Sequence, residues 1–518
     1  MNLRAPSMAR PGMGRAYEGA VRSAGSRPCL VPTGPVRSHR RVNLHTVQAT
    51  STIADSLAKV ETLKSLSASI PSLSKARVEP RRQADDVGDR VAFVTVSDTP
   101  ANGVVMTLSE DAAITQVDAE NHDLVGSIAS QSSELVALTL WLLAERAKGS
   151  SSTYSKFLST LPTATLSPIL WEEDEIRSLL QGSPVMQEAL DRRAALIQQW
   201  QALNDAHFSK DPAKYPAAVF GQGPFMEAFS VALAHAIYLP SANCFALMPV
   251  LSLLARTGTG AGCDIDYDAD KKAAVVTAAR QLRSGAEVAL NDPRPNGELL
   301  LAMGRVPDTN PSDCLMWDAS LVQADKYYVM KQEILQSLGF SPKEQFPVYA
   351  DRFPNQMLAY LRLTRVADPA LFAKVSFEQD VVLSQMNEYE ILQLIMGDCR
   401  EKLQGYAATY EEDIKVAQGR DLTPKQRVAA KLRLAERKII SGTMEAVRNR
   451  LAPIRGIPTK SGGMQDPNSD LKEIFDAIEA IPNAPKKLVE GFMSWARGEQ
   501  DPDWGKKPSD KPKAPRPW

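Results

Sequence analysis

Paired cysteines, clustered histidines and an excess of either charge are all missing from this chain of 518 residues. Its five cysteines (Cys29, Cys244, Cys263, Cys314 and Cys399) are scattered with no CxxC spacing, which excludes a disulfide framework and a cysteine–zinc site and fits a reducing compartment. Its five histidines are scattered too, and none pairs at metal-ligand spacing. Lys and Arg number 60 against 61 Asp and Glu, a formal net charge of −1, so the surface as a whole has no electrostatic reason to hold nucleic acid or a membrane. Direct nucleic-acid binding and membrane attachment are therefore not expected. The composition, 44% hydrophobic and 23% charged, is globular, and the length suits two or three domains with sizeable cores.

Residues 1–50 depart from that balance. They hold eight arginines, Arg4 to Arg41, against one acid, Glu18, in a background rich in Ser, Ala, Pro and Gly. No apolar run there suffices for a signal core or a membrane span, and the bias stops near Asp55. Arg-rich and acid-poor is the make-up of an organellar transit peptide, and we read it so; a basic arm for nucleic acid is the alternative. Composition leaves chloroplast and mitochondrion both open. The far end, "DPDWGKKPSDKPKAPRPW", is Pro/Lys-rich and expected to be disordered.

Between these ends the hydrophobic period changes several times. "TIADSLAKVETLKSLSASI" has helical spacing, "KARVEPRRQADDVGD" reads as a charged linker, and "RVAFVTV" and "NGVVMTLSEDAAI" read as strands. From about residue 130 to 240 the period is helical. "SSELVALTLWLLAERAKG" has Ser132 or Ser133 as N-cap and Gly149 as stop; "SPILWEEDEIRSLLQGS", "PVMQEALDRRAALIQQWQAL" and the nearly all-apolar "PFMEAFSVALAHAIYL" follow. Strand signals return at "NCFALMPVLSLL", "KAAVVTAARQL" and "SGAEVALN", the last two joined by "RSG" as a hairpin-like turn. From about 320 to 455 the pattern is helical again, most clearly in "TPKQRVAAKLRLAERKIISGTMEAVRNRL", capped by Thr423 with Pro424 in the first turn.

One stretch, "LLARTGTGAGCDIDYDADKK", resembles two ligand loops at once. Gly258, Gly260 and Gly262 suit a phosphate cradle, but a helix does not follow them, and Asp264, Asp266, Asp268 and Asp270 would repel phosphate. A calcium loop begun at Asp264 needs glycine sixth and glutamate twelfth; those places hold Ala269 and Val275. Both readings fail, leaving a loop that runs into a strand with aspartates on one face.

The order of elements, with "VMTLSEDAAIT", "LPTATLSPILWEEDEIRSLLQGS", "FALMPVLSLL", "RSGAEV", "NGELLLAMGRVPDTNP" and "AYLRL", resembles the SET-domain protein methyltransferases of the plastid Rubisco large-subunit lysine N-methyltransferase type. "NEYEILQLIMGDCREKLQGYAATYEEDI" and "LTPKQRVAAKLRLAERKII" resemble that family's helical substrate-binding domain, and the likeness runs from about residue 88 to 450. It implies an α+β class: a SET β-fold interrupted by a helical insert and followed by an all-α C-terminal domain. The layout it implies is a transit peptide at 1–50, a helix and linker at 51–87, a SET domain at 88–318 with its insert at 130–240, a substrate-binding-like domain at 319–455, and an extension at 456–518.

The resemblance also implies transfer of a methyl group from S-adenosylmethionine to a lysine amine, with a protein substrate or complex partner docked on the C-terminal helices. The site residues, however, depart from the family's pattern. Of the glycine-rich opening motif only Gly88 matches; the cofactor-clasping arginine falls at His235, the aspartate before the Asn-His-Ser word at Ser252, and that word at Ala255, Arg256 and Thr257. The channel tyrosine falls near Asp292 and the second tyrosine at Met303, while Asn296, Glu298, Leu299 and Gly304 remain as neighbours. A carboxylate at 292 would keep a substrate lysine protonated and non-nucleophilic. "PRPN", Pro293 to Asn296, is similar to a word in the branch of the family found in the plastid transcriptionally active chromosome, whose cofactor motif is likewise altered. The expectation is thus a chloroplast-stroma scaffold with a degenerate site. The alternative is an active protein-lysine methyltransferase acting on a plastid protein such as the Rubisco large subunit or aldolase.

Overall fold

The computed structural model describes residues 53–85, 88–258, 260–419 and 422–454, so the expected transit peptide and the C-terminal extension lie outside the described residues. The first helix, Ile53–Ser69, places Val60, Leu63 and Leu66 inward at helical spacing. Strands β1 (Val78–Asp85) and β2 (Gly88–Thr95) then form an antiparallel hairpin, in register from Val78↔Thr95 to Asp85↔Gly88. The charged stretch taken for a linker is therefore a strand. Pro80 is buried, whereas Arg81, Arg82 and Gln83 face solvent. Charges and a proline are what an unshared edge strand tolerates, and they hide it from a hydrophobic count.

A five-stranded sheet in the order β3-β8-β7-β9-β6 carries the rest of the β-structure. It comprises β3 (Val104–Ser109), β6 (Ala255–Thr257), β7 (Cys263–Asp268), β8 (Ala273–Ala278) and β9 (Ala289–Asn291). A small hairpin of β4 (Ile237–Leu239) and β5 (Cys244–Ala246) stands beside it. The expected hairpin across "RSG" does not form. Both edges of the apolar β8 are taken by β3 and β7, and the chain after Gly285 (φ +83°) pairs with β2 instead, Val288 N–H donating to Phe93 O at 2.7 Å.

The insert is helical, as the period indicated. The helix Glu134–Lys148 starts after Ser133, buries every residue from Val136 to Glu145, and stops at Gly149 with φ +55°. Behind it lie Val185–Ala206 and the largely buried Gln222–His235. The C-terminal region consists of helices Tyr328–Ser337, Asn355–Arg365, Gln385–Gly405, Tyr410–Gln418 and Pro424–Ile454, the last capped by reciprocal Thr423–Gln426 bonds. It also carries one strand pair that the helical period passed over, β10 (Leu315–Ser320) with β11 (Lys343–Val348).

Insert and C-terminal helices share a core. Trp171, Ile176 and Leu190 meet Leu300 and Leu301, and these meet Val428 and Leu432. Polar contacts reinforce the seam: Lys425 pairs with Glu175 at 2.6 Å, Arg433 donates to Leu179 O, and Ser183 donates to the buried Glu436 at 2.6 Å.

Candidate active site

β6 and β9 run parallel, with Arg256 opposite Leu290, and the N–H of Asp292 donates to Thr257 O at 2.8 Å. Ala255, Arg256, Thr257 and Asp292 are thereby fixed side by side. The approach to β6 is a tight corner at Val250 (φ +70°), where Leu251 N–H donates to Pro249 O at 2.8 Å across three residues. A β-branched residue at positive φ is a strained one, held only because the surrounding structure over-determines it. The corner delivers Ser252, buried, whose Oγ accepts from Met248 N–H at 2.8 Å.

His235 ends its helix with Nδ1 2.8 Å from Ser252 O. Burial first, and then the cations Arg256, Arg146 and Arg305, push its pKa down to about 4 against the pull of that carbonyl. At neutral pH it is uncharged, so a neutral imidazole stands where the resemblance put the clasping guanidinium. Charge comes instead from Arg256, whose Nε is shut off from solvent with no hydrogen-bond partner among the described residues. Burial and the neighbouring Arg294 lower its pKa to about 10, while Asp292 opposes them.

Asp292 is buried but not free. Arg294 grips it twice, Nε to Oδ1 at 2.9 Å and Nη2 to Oδ2 at 2.7 Å, and its backbone N–H also donates to Oδ1 at 3.1 Å. Burial raises the carboxyl's pKa, yet Arg294 and the field of Arg256 hold it below the usual value, so it stays ionised. The same Nη2 lies 3.6 Å from Met303 Sδ. One guanidinium thus spans the two positions assigned to the channel tyrosines. The idea that Asp292 would hold a substrate lysine protonated is therefore revised: its oxygens are already taken by this chain's own cation. Arg294 was not singled out from the sequence, although the prolines at 293 and 295 that restrict its backbone are visible there.

The neighbours brace this arrangement. Asn310 Nδ2 donates to Arg294 O at 2.9 Å and to Asn296 Oδ1 at 3.0 Å, and Asn296 Nδ2 donates to Asp313 at 2.8 Å. Glu298 pairs with Arg192 at 2.8 Å, and Leu299 is buried. The helix Asn296–Met303 stops at Gly304, left-handed at φ +68°, where a Cβ would lie 2.4 Å from Leu166 C. Gly304→Ala is expected to cost roughly 1–3 kcal/mol through backbone strain and that clash. Denaturant unfolding checks this; an unchanged midpoint would contradict it.

Gly88 stands apart, opening β2 opposite Asp85; further along β2, Arg90 binds Glu287 at 2.7 Å. The glycines of "ARTGTGAG" serve packing. A Cβ on Gly258 would meet Pro311 at 2.3 Å, one on Gly262 would meet Ala289 O at 2.3 Å, and Gly260 has φ +80°. The aspartates beyond them hold local bonds: Asp264 accepts from Asn291, Asp266 from Ser241, and Asp268 from the turn at Asp270 and Lys271. Cys263, between them, is buried, and burial raises its thiol to about 11, so it is no reactive thiolate. A cavity of about 210 Å³ lies between Arg90, Phe93, Leu253 and the first helix. That is below the range of about 300–1,000 Å³ usual for small-molecule sites.

Residues 322–440 match the family model described as Rubisco LSMT substrate-binding. The chain is 21% identical over 351 residues to the ribulose-1,5-bisphosphate carboxylase/oxygenase large subunit N-methyltransferase of Nicotiana tabacum, covering 64% of this chain and 71% of that protein. The Pisum sativum counterpart is 21% identical over 376 residues, covering 69% and 76%. The human actin-histidine N-methyltransferase is 23% identical over 360 residues, but the chain spans only 59% of its length. Among solved structures, the SET domain of LSMT bound to lysine and AdoHcy superposes with a TM-score of 0.60 at 18% identity, over 84% of this chain and 99% of that one. Rubisco LSMT bound to AdoMet gives 0.59 at 17% identity with the same coverage. No helix among the described residues is long and apolar enough to cross a membrane.

Proposed function

The chain is a SET-domain protein of the Rubisco large-subunit methyltransferase type, and from that premise we propose that it acts as a plastid protein-binding scaffold whose methyl-transfer site is disarmed. One observation supports the reading: Arg294 reaches both Asp292 and Met303, the two positions where the resemblance puts the channel tyrosines. Transfer of a methyl group demands a neutral amine in line with the donor, so positioning dominates, and a resident guanidinium removes the position itself.

The residues around β6 also do not fit a sulfonium donor. Ala255 offers no side-chain amide, Ser252 spends its Oγ on Met248, and Arg256 brings a half-buried positive charge where the resemblance puts a cationic cofactor. What remains intact is the helical region matching the substrate-binding model, joined to the insert through Glu436, Arg433 and Lys425. A rigid surface held that way suits docking of a partner protein. A plastid address rests on the arginine-rich N-terminus and on the chloroplastic relatives, and a subunit role in the plastid transcription complex on the "PRPN" word.

The relatives' own activity favours the second reading, an active transferase on a plastid protein. Incubation with methyl-labelled S-adenosylmethionine and plastid lysate separates the two. The scaffold reading expects no labelled protein above a no-enzyme control; labelling that depends on the purified chain would sink it. Asp292→Tyr with Arg294→Ala asks whether opening the channel suffices, and silence is expected there too, because Ala255 and Arg256 remain.

A further inference from the structure

Two Asn-Gly pairs occur in the chain, Asn102–Gly103 and Asn296–Gly297, and the fold treats them in opposite ways. A glycine carries no side chain to shield its own amide. Once that nitrogen reaches Cγ of the preceding asparagine, a five-membered imide ring can close. Asn102 stands in the tight turn between β2 and β3, exposed and at φ +60°, a left-handed conformation that asparagine tolerates better than most residues. Gly103 N–H donates to Pro100 O at 3.0 Å and closes a β-turn. The Asn102 side-chain amide makes no hydrogen bond among the described residues. Two bonds tie the turn to β8: Asn102 N–H donates to Ala278 O at 2.8 Å, and Ala278 N–H donates to Gly103 O at 3.0 Å. Because β3 is an edge strand of its sheet and the turn is exposed, local opening here is cheap.

Asn296 is the reverse case. It is 3% exposed and opens the helix Asn296–Met303. Its backbone N–H and Nδ2 both donate to Asp313, at 2.9 and 2.8 Å, and its Oδ1 accepts from Asn310 at 3.0 Å. Gly297 has no slack either, since a Cβ there would lie 2.8 Å from Val185 Cγ2. Turning the Asn296 side chain onto the Gly297 nitrogen breaks all three bonds and the first turn of a packed helix.

We propose that Asn102 is a site of spontaneous deamidation, with water as the co-reactant, and that the fold keeps the same chemistry from Asn296. Gly103 N attacks Asn102 Cγ, and the new C–N bond closes a succinimide. The side-chain nitrogen of Asn102 leaves as ammonia, taking with it the proton of the Gly103 amide. Water then opens the ring. Attack at Cγ leaves an ordinary aspartate, whereas attack at the main-chain carbonyl reroutes the chain through Cβ and Cγ and lengthens the backbone by one carbon. That isoaspartate displaces Gly103 O from the Ala278 amide, so the start of β3 loosens from β8.

Ageing the full chain at mildly alkaline pH and mapping its proteolytic peptides by mass spectrometry tests this, because each conversion replaces a side-chain NH2 by OH. Asn102 is expected to convert at least about tenfold faster than Asn296 in the folded chain, the difference being the cost of local opening. In urea, where the fold no longer separates the two pairs, the rates should come within about threefold of each other. Asn102→Gln, which would need a six-membered ring, should stop conversion at that position. Exchange of the Ala278 amide should quicken in aged chain carrying isoaspartate, but not in Asn102→Asp, which has the charge without the added carbon. No conversion at Asn102, conversion of Asn296 as fast in the folded chain, or a gap between the two that persists in urea would each overturn the proposal. Unchanged Ala278 exchange in the isoaspartate form would overturn its consequence for β3. Should Asn102→Gln fail to fold, the comparison of the two pairs within the unaltered chain decides by itself.

Discussion

Arg362→Ala is expected to destabilise the C-terminal region by about 3–5 kcal/mol, the usual cost of stranding one partner of a buried ion pair. Arg362 is 1% exposed and lies in the helix Asn355–Arg365. Its Nε and Nη2 reach the two oxygens of Glu388 at 2.7 and 2.8 Å, and Nη2 also reaches Asp380 at 2.7 Å. Asp380 passes the link to Arg450 on the long helix Pro424–Ile454 at 2.7 Å, while Asn387 binds the Arg362 carbonyl at 3.1 Å. Three helices therefore converge on one guanidinium. Truncating it leaves the buried Glu388 with only the longer 3.7 Å contact to Arg450, where desolvation makes an under-compensated carboxylate expensive. Arg362→Met paired with Glu388→Leu removes both charges at similar volume and should recover most of the loss. Urea unfolding followed in the full chain decides: a single variant within about 1 kcal/mol of the parent would show the pair to be weak, as exposed pairs are.

Much of this architecture was legible in the sequence, and the failures share a physical cause. Helices of the insert announced themselves because period and caps agreed, as at Ser133 and Gly149. β1 was missed because an edge strand needs only one inward residue such as Pro80, and its charges imitate a linker. β10 was missed because the alternation Leu315, Trp317, Ala319 is short and lies among helical neighbours. The turn at Gly285 was legible, but not the partner of the strand after it, since pairing is settled by which edges remain free. At the site, the residues on β6 and at 292 and 303 could be placed by the order of quoted words. Arg294 could not, because its meaning arises only when the turn of a helix brings Met303 back beside Asp292. Arg256 was visible as a substitution, whereas its sealed Nε, without a hydrogen-bond partner among the described residues, is a fact of three dimensions.

Glu436 was hidden for the same reason, since its partner Ser183 is 253 positions away. It is buried on the long helix, accepting from Ser183 at 2.6 Å and from Tyr406 at 2.9 Å. Burial pushes its pKa from 4.5 up to about 7; Asp313 adds to the rise, and the two hydroxyls and Arg433 only moderate it. The folded state therefore holds this proton more tightly than the unfolded chain does. The stabilisation is fully present below about pH 4.5, is lost as pH rises through about 7, and amounts to roughly 3 kcal/mol across that window. Ionisation would strike the seam between insert and C-terminal helices, where Gly182 already presses so close to Gly405 that a Cβ would sit 2.5 Å from its carbonyl oxygen. Glu436→Gln keeps an oxygen for the two hydroxyls and cannot ionise, so its unfolding free energy should lose this slope and exceed the parent's above pH 7. Parallel pH–stability curves for parent and variant would show that Glu436 titrates as an ordinary carboxyl. Hydrogen exchange at Leu180 to Val185 offers an independent reading, because only a seam that loosens with ionisation speeds exchange there in the parent and not in Glu436→Gln.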